Sequence, residues 1–123
     1  MPTEQIFYYA LAGILLFMYL RKMMLARSLN NYTGAEAKER VSGGSIMLDV
    51  RTSDERKRSS IPSSLHIPLS EISSRLSELE NYRGKEIICY CASGNRSVSA
   101  ALKLKKAGFM AGNLRGGISS WNF

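Results

Sequence analysis

Residues that could hold metals or build bridges are scarce in this chain. Its 123 residues include two cysteines, Cys89 and Cys91, and one histidine, His66. Two cysteines cannot form a multi-bridge secreted framework. A bond between them would close a very small, strained ring, and a regular strand would hold their side chains in the wrong geometry. Structural zinc calls for about four ligands, and neither a second cysteine pair nor a second histidine is present. The expectation is no metal and reduced thiols, hence a reducing compartment. Internal repeats and low-complexity tracts are also lacking. Acidic residues are outnumbered, 10 against 17 basic, for a net charge of +7. That balance favours an anionic partner without choosing among nucleic acid, acidic lipid and a small anion.

Charge is missing altogether from Gln5 to Leu20. Those sixteen residues make about 24 Å of helix, short of a hydrocarbon core of roughly 30 Å. The apolar run resumes at Met23, Met24 and Leu25, and Arg21 and Lys22 can snorkel to the headgroups. Tyr8, Tyr9 and Tyr19 suit the two interfaces. A cleaved signal peptide has positive charge before its apolar run; here Glu4 precedes and Arg21, Lys22 and Arg27 follow. A buried core helix would be striped rather than apolar all round. The reading is an uncleaved single-pass anchor, with residues 6–26 in the membrane. By the positive-inside rule the N-terminus is outside and the rest cytoplasmic. The chain then divides into an anchor (1–28), a linker (29–33, with "NNYTG" leading into a helix start) and a soluble α/β domain (34–123).

In that domain, Thr33 is a candidate N-cap for a helix to about Val41, stopped by Gly43-Gly44. Ser45–Val50 reads as a buried strand. "RTSDERKRSSIPSS" reads as polar and irregular, with Arg56, Lys57 and Arg58 as a solvated loop. "SLHIP" suits a short strand ended by Pro68, with His66 at a rim. Ile72, Leu76 and Leu79 have helical spacing, and Gly84 would end their helix. Glu86–Cys91 is a second clear strand. A helix follows over "SVSAALKLKKAG", then a weak strand "FMAGNL" containing Gly112, and a last helical turn in "ISSWNF" whose Trp121 packs in the core. Strands alternating with helices predict a mainly parallel sheet flanked by helices.

Cys91 ends an apolar strand and opens a loop leading into a helix, at the ligand edge of such a sheet. Free helix-start amides, the helix dipole and the curl allowed by Gly94 all favour a thiolate there. Arg96 adds positive charge, and together these lower the Cys91 pKa. Cys89, two residues back, reads as a small buried hydrophobe.

"CYCASGNRSVSAALKLKKAGF" resembles the active-site loop and following helix of a rhodanese (sulfurtransferase) domain. "LDVRTSDE", "IPSSLHIPLSEI" and "LRGGISSW" resemble three further motifs of that family, in the same order. The resemblance implies a rhodanese-like fold and a persulfide cycle at Cys91, with no metal or organic cofactor. The C-x4-R spacing of Cys91 to Arg96 is the family's sulfur-transfer loop, one residue shorter than that of the related phosphatases. The implied donor is a small sulfur anion such as thiosulfate, and the acceptor a thiol or cyanide. The cradle would be Ala92, Ser93, Gly94, Asn95, Arg96 and Ser97, with hydroxyls of Ser93 and Ser97 on the sulfur, and Asp49 and Arg51 bracing the loop. Ser59–Ser64 replaces the family's Gly-His-Ile-x-Gly-Ala, which alters the turn. The alternative reading is a non-catalytic or sensory module that holds a redox- or sulfur-responsive cysteine near a membrane partner. Nucleic acid is not an expected partner, since the basic run lacks interleaved aromatics.

Overall fold

A computed structural model describes residues 2–121. Helix α1, Thr3–Arg27, is 25 residues long, about 37 Å. Its first 23 residues are long and apolar enough to cross a membrane, and none of that span is buried against the rest of the chain. Phe17, Met18 and Tyr19 are each about 60% exposed or more, so α1 is not a core helix.

The expected linker is instead part of the sheet. Asn30–Tyr32 forms strand β1, parallel to the strand Ala111–Leu114. Leu29 and Tyr32 are buried, and the Tyr32 hydroxyl donates to Glu86. Three residues carry no periodicity, and this polar edge strand gives no sequence signal. Helix α2, Gly34–Ser42, starts at Thr33 with a capping box closed by Glu36.

Strand β2 is Ile46–Asp49. The segment after it is not irregular: Ser53–Arg58 forms helix α3, with a second capping box between Thr52 and Glu55. Nor is Arg56 a solvated loop residue. Its guanidinium donates to Ser64 Oγ at 3.0 Å and to the carbonyl of Ser64 at 2.7 Å, and reaches Asp49 at 3.4 Å. Strand β3 is Leu65–His66. The next segment is not one α-helix but two 3-10 pieces, Leu69–Glu71 and Leu76–Tyr82, separated by non-helical Arg75. Three residues per turn aligns Leu76, Leu79 and Tyr82 on the core. Strand β4 is Ile87–Tyr90, helix α4 Asn95–Lys106 and strand β5 Ala111–Leu114. A final 3-10 turn spans Gly117–Ser120; Asn122 and Phe123 lie outside the described residues. Trp121 is half-buried against the α2 side of the core.

All strands are parallel, in the order β1-β5-β4-β2-β3. Central β4 alternates: Ile87, Cys89 and Cys91 enter the cluster under α4, while Ile88 and Tyr90 enter the one under α2. β2 leads on to β3 on one side and β4 to β5 on the other. Their connections diverge at the carboxyl ends of β2 and β4, the topological switch point of the sheet. β5 is not weak: all four residues are buried and it is paired on both sides. Gly112 is needed there, because a Cβ would stand 3.0 Å from the Asn30 carbonyl and 3.0 Å from the Tyr32 ring.

The altered middle motif is closed by its own hydrogen bonds. The Tyr90 hydroxyl accepts from Ile61 N–H at 3.2 Å and lies 2.8 Å from Ser64 Oγ, which donates to the Ile61 carbonyl. Ser63, where the resemblance expects glycine, has a φ of 64°. Left-handed backbone disfavours residues with a Cβ. Ser63→Gly is expected to raise stability by about 1 kcal/mol, read as a higher midpoint in urea denaturation of the full chain in detergent.

Candidate active site

β4 delivers Cys91 to the switch point, and the loop 92–94 folds back over it. Gly94, at φ 108°, turns the backbone so that its own N–H donates to Cys91 Sγ at 2.9 Å. Ser97 Oγ lies 3.3 Å from the sulfur. Burial pushes the Cys91 thiol up, but the Ser97 hydroxyl and the amides of Ser97, Gly94 and Ser93 outweigh it, leaving the pKa below that of an ordinary thiol. Cys89, wholly buried and beside Cys91, is pushed far up and stays a neutral thiol. Both cysteines are free.

Several sequence-predicted residues take other roles than expected. Ser93 is exposed, and its amide rather than its hydroxyl helps lower the Cys91 pKa. Ala92 and Asn95 are exposed on the loop's outer surface. Arg96 is not aimed at the sulfur: its two terminal nitrogens donate to Glu55 at 2.7 and 2.8 Å. That fork holds the Glu55 carboxyl down at about 2 and ties the loop to helix α3. Asp49 and Arg51 do not touch the loop. They form a buried two-point pair at 2.9 and 2.8 Å, and Arg51 also donates to the Ser59 carbonyl. The pair braces the segment after β2, and Glu55 on that segment braces the loop. His66 keeps the rim position, with Nε2–H donating to the Arg51 carbonyl at 2.8 Å.

Two supports escaped the sequence. Asn113 on β5 is buried, accepts from the Ser97 hydroxyl and donates to Asn31. It ties the sulfur's neighbour to β1. Its signal was a polar residue inside a strand, which says nothing of its partner. The second is Gly117, at φ 70°, packed directly on the carbonyls of Cys91 and Ala92. The Ile118 N–H donates to the Cys91 carbonyl at 2.9 Å. The double glycine was legible, its contact with the loop was not.

Removing the Ser97 hydroxyl takes one donor from the thiolate. Ser97→Ala is expected to shift the pH midpoint of Cys91 alkylation upward and to slow alkylation at neutral pH roughly three- to tenfold. The hydroxyl proton is shared with Asn113 and the Gly94 carbonyl, which keeps the effect at the lower end. A Cys89→Ala background isolates the reacting thiol. Among the described residues, no group of three or more His, Cys, Asp or Glu is placed to hold a metal ion.

This frame of parallel strands with a cysteine under a six-residue loop has relatives. The family model for the rhodanese-like domain matches residues 33–123, and the chain belongs to that family. A sulfurtransferase from Allochromatium vinosum is 36% identical over 77 residues, 62% of this chain and 70% of its own. A putative sulfurtransferase from Bacillus subtilis is 32% identical over 75 residues, 61% and 71%. A tRNA sulfurtransferase from Desulfurococcus amylolyticus is 31% identical over 87 residues, but this chain spans only 17% of its length. Among solved structures, a rhodanese-related protein from Thermoplasma volcanium superposes with a TM-score of 0.68 at 35% identity, covering 75% of this chain and 89% of that one.

Proposed function

We propose that this chain is a membrane-anchored sulfurtransferase working through a Cys91 persulfide. Sulfur transfer as the general chemistry is supported by relatives that carry that name. The observation that carries the reading is Cys91 Sγ beneath the Gly94 and Ser93 amides and beside Ser97. Donors in that arrangement stabilise a thiolate and, one atom further out, the anion of a persulfide. The Cys91 thiolate attacks the outer sulfur of a thiosulfate-like donor. The new S–S bond forms as the old one breaks, and sulfite leaves with the electron pair. Cyanide or a thiol then takes the outer sulfur and returns the thiolate. Two displacements through one covalent intermediate give ping-pong kinetics. Neither step needs a metal or an organic cofactor. The net positive charge draws in the anionic donor.

Anchoring through residues 6–26, with the N-terminus outside and the domain in the cytoplasm, is part of the same proposal. It is supported by the length, apolarity and full exposure of α1 and by the basic residues at its C-terminal end. The test of the catalytic cycle is a single turnover. Protein treated with thiosulfate and freed of it should release thiocyanate on adding cyanide, up to one per Cys91. Absence of any release would refute donor and acceptor together.

One observation favours the second reading, a non-catalytic sulfur- or redox-responsive module: Cys91 has no exposed surface. A donor reaches the sulfur only if the loop shifts or the side chain rotates outward. Turnover with thiosulfate that follows saturation kinetics supports the enzyme. Slow stoichiometric labelling without turnover supports the module.

A further inference from the structure

We propose that the groove between α1 and α4 is a binding site for an anionic phospholipid. The inference rests on the anchoring reading above. The groove holds about 480 Å³ and lies where the apolar run of α1 ends. Its apolar floor is Leu25 from α1 and Leu102 from α4, and its rim is Arg21, Lys103, Lys105 and Lys106. No acidic residue lines it, and among the described residues none of these four cations is in an ion pair. Lys105 Nζ donates to the carbonyl of Ser28, the residue just after α1, at 3.4 Å.

Lysines in the last turn of α4 would by themselves only offset its dipole. Arg21 changes the picture, because it brings a fourth positive charge from a different helix to the same rim. Four like charges around an apolar floor favour a ligand with an anionic head and an apolar tail. The exposed apolar surface of α1 continues from Leu25 toward the N-terminus, giving an acyl chain a path beside the helix. The rim cations meet the phosphate at the depth where headgroups lie. A lipid held there fixes the basic end of α4 at the bilayer surface. Cys91 sits at the other end of that 12-residue helix, about 18 Å along it. A lipid at the basic end thus lies at the opposite end of α4 from the Cys91 loop.

The test uses the full chain in mixed micelles of equal phosphatidylglycerol and phosphatidylcholine, read by native mass spectrometry. Retained phosphatidylglycerol is expected in preference to phosphatidylcholine. The double variant Lys103→Gln/Lys106→Gln should weaken retention roughly ten- to thirty-fold, with an unchanged thermal melt. Should that variant not fold, raising the salt on the wild-type chain must reduce retention steeply. Equal retention of the two lipids overturns the proposal while leaving anchoring intact. Displacement of phosphatidylglycerol by millimolar inorganic phosphate also overturns it, since the site would then serve a free anion. Extraction of the chain from vesicles by alkaline carbonate would instead remove the anchoring reading and this one with it.

Discussion

Gly117→Ala is expected to abolish thiol activation at Cys91 while leaving the sheet in place. A Cβ at that position would lie far inside contact distance of the carbonyls of Cys91 and Ala92, both backbone atoms at the root of the loop. The backbone there also has a φ of 70°, which costs a residue with a Cβ about 1–2 kcal/mol. No flexible side chain can move aside, so the loop itself must lift. Lifting it breaks the Ile118 N–H bond to the Cys91 carbonyl and withdraws the Gly94 amide from the sulfur. Sulfur uptake from thiosulfate should fall by a factor of about a hundred or more, as when a preorganised donor is removed. The Cys91 alkylation midpoint should move up toward that of an ordinary thiol. Circular dichroism should change little. A variant with wild-type uptake would show that the double-glycine turn does not support the loop.

Asp49→Asn should produce the largest loss of stability, roughly 3–5 kcal/mol, the usual result of removing one partner of a buried ion pair. Asp49 has no exposed surface and Arg51 is 4% exposed. The guanidinium would keep its charge and lose its fork. It also lies over the Tyr90 ring, 5.5 Å from the centroid, so the strain reaches the Tyr90–Ser64–Ile61 ring of hydrogen bonds. Burial pushes the Asp49 carboxyl up, but the Arg51 side chain and amide hold it below the ordinary carboxylate value. A depressed pKa contributes stability that is complete above the unfolded value and is lost as pH falls through the folded one. The wild-type chain should therefore lose stability on the acid side, and the Asn variant should lose less of it there. Urea denaturation in detergent, followed by Trp121 fluorescence at several pH values, measures both effects.

The site was legible in the sequence where its chemistry is local. Strand β4, the tight loop at Gly94 and the start of α4 are contiguous, so local sequence alone brings Cys91, Gly94 and Ser97 together. The supports were not legible in the same way. Glu55 stands 41 positions from Arg96; Asn113 reaches the site from β5 and Gly117 from the turn after it. No periodicity links such positions; only the parallel pairing of β2, β4 and β5 does. Arg96 illustrates the limit. Its sequence position offers a positive charge near the sulfur, but the fork with Glu55 makes it a clamp on the loop.

The fold shows the same division. Four of the five strands carry apolar runs or turn signals. The exception is β1, three residues held by Tyr32 and by pairing with β5. Helix α3 carries a local signal, since Thr52-x-x-Glu55 is a capping box. Its lack of buried residues hid it from hydrophobic periodicity. Over residues 69–82, the spacing of Ile72, Leu76 and Leu79 fitted an α-helix, but the serines between them favour turns, and the chain takes two 3-10 pieces.

The most direct measurement is the intact mass of the full chain after thiosulfate, with Cys91→Ala and Cys89→Ala beside it. The account predicts a gain of one sulfur atom in the wild type and in Cys89→Ala, removed by cyanide, and none in Cys91→Ala. A wild-type mass that never changes, or a sulfur atom that stays when Cys91 is replaced, would contradict it.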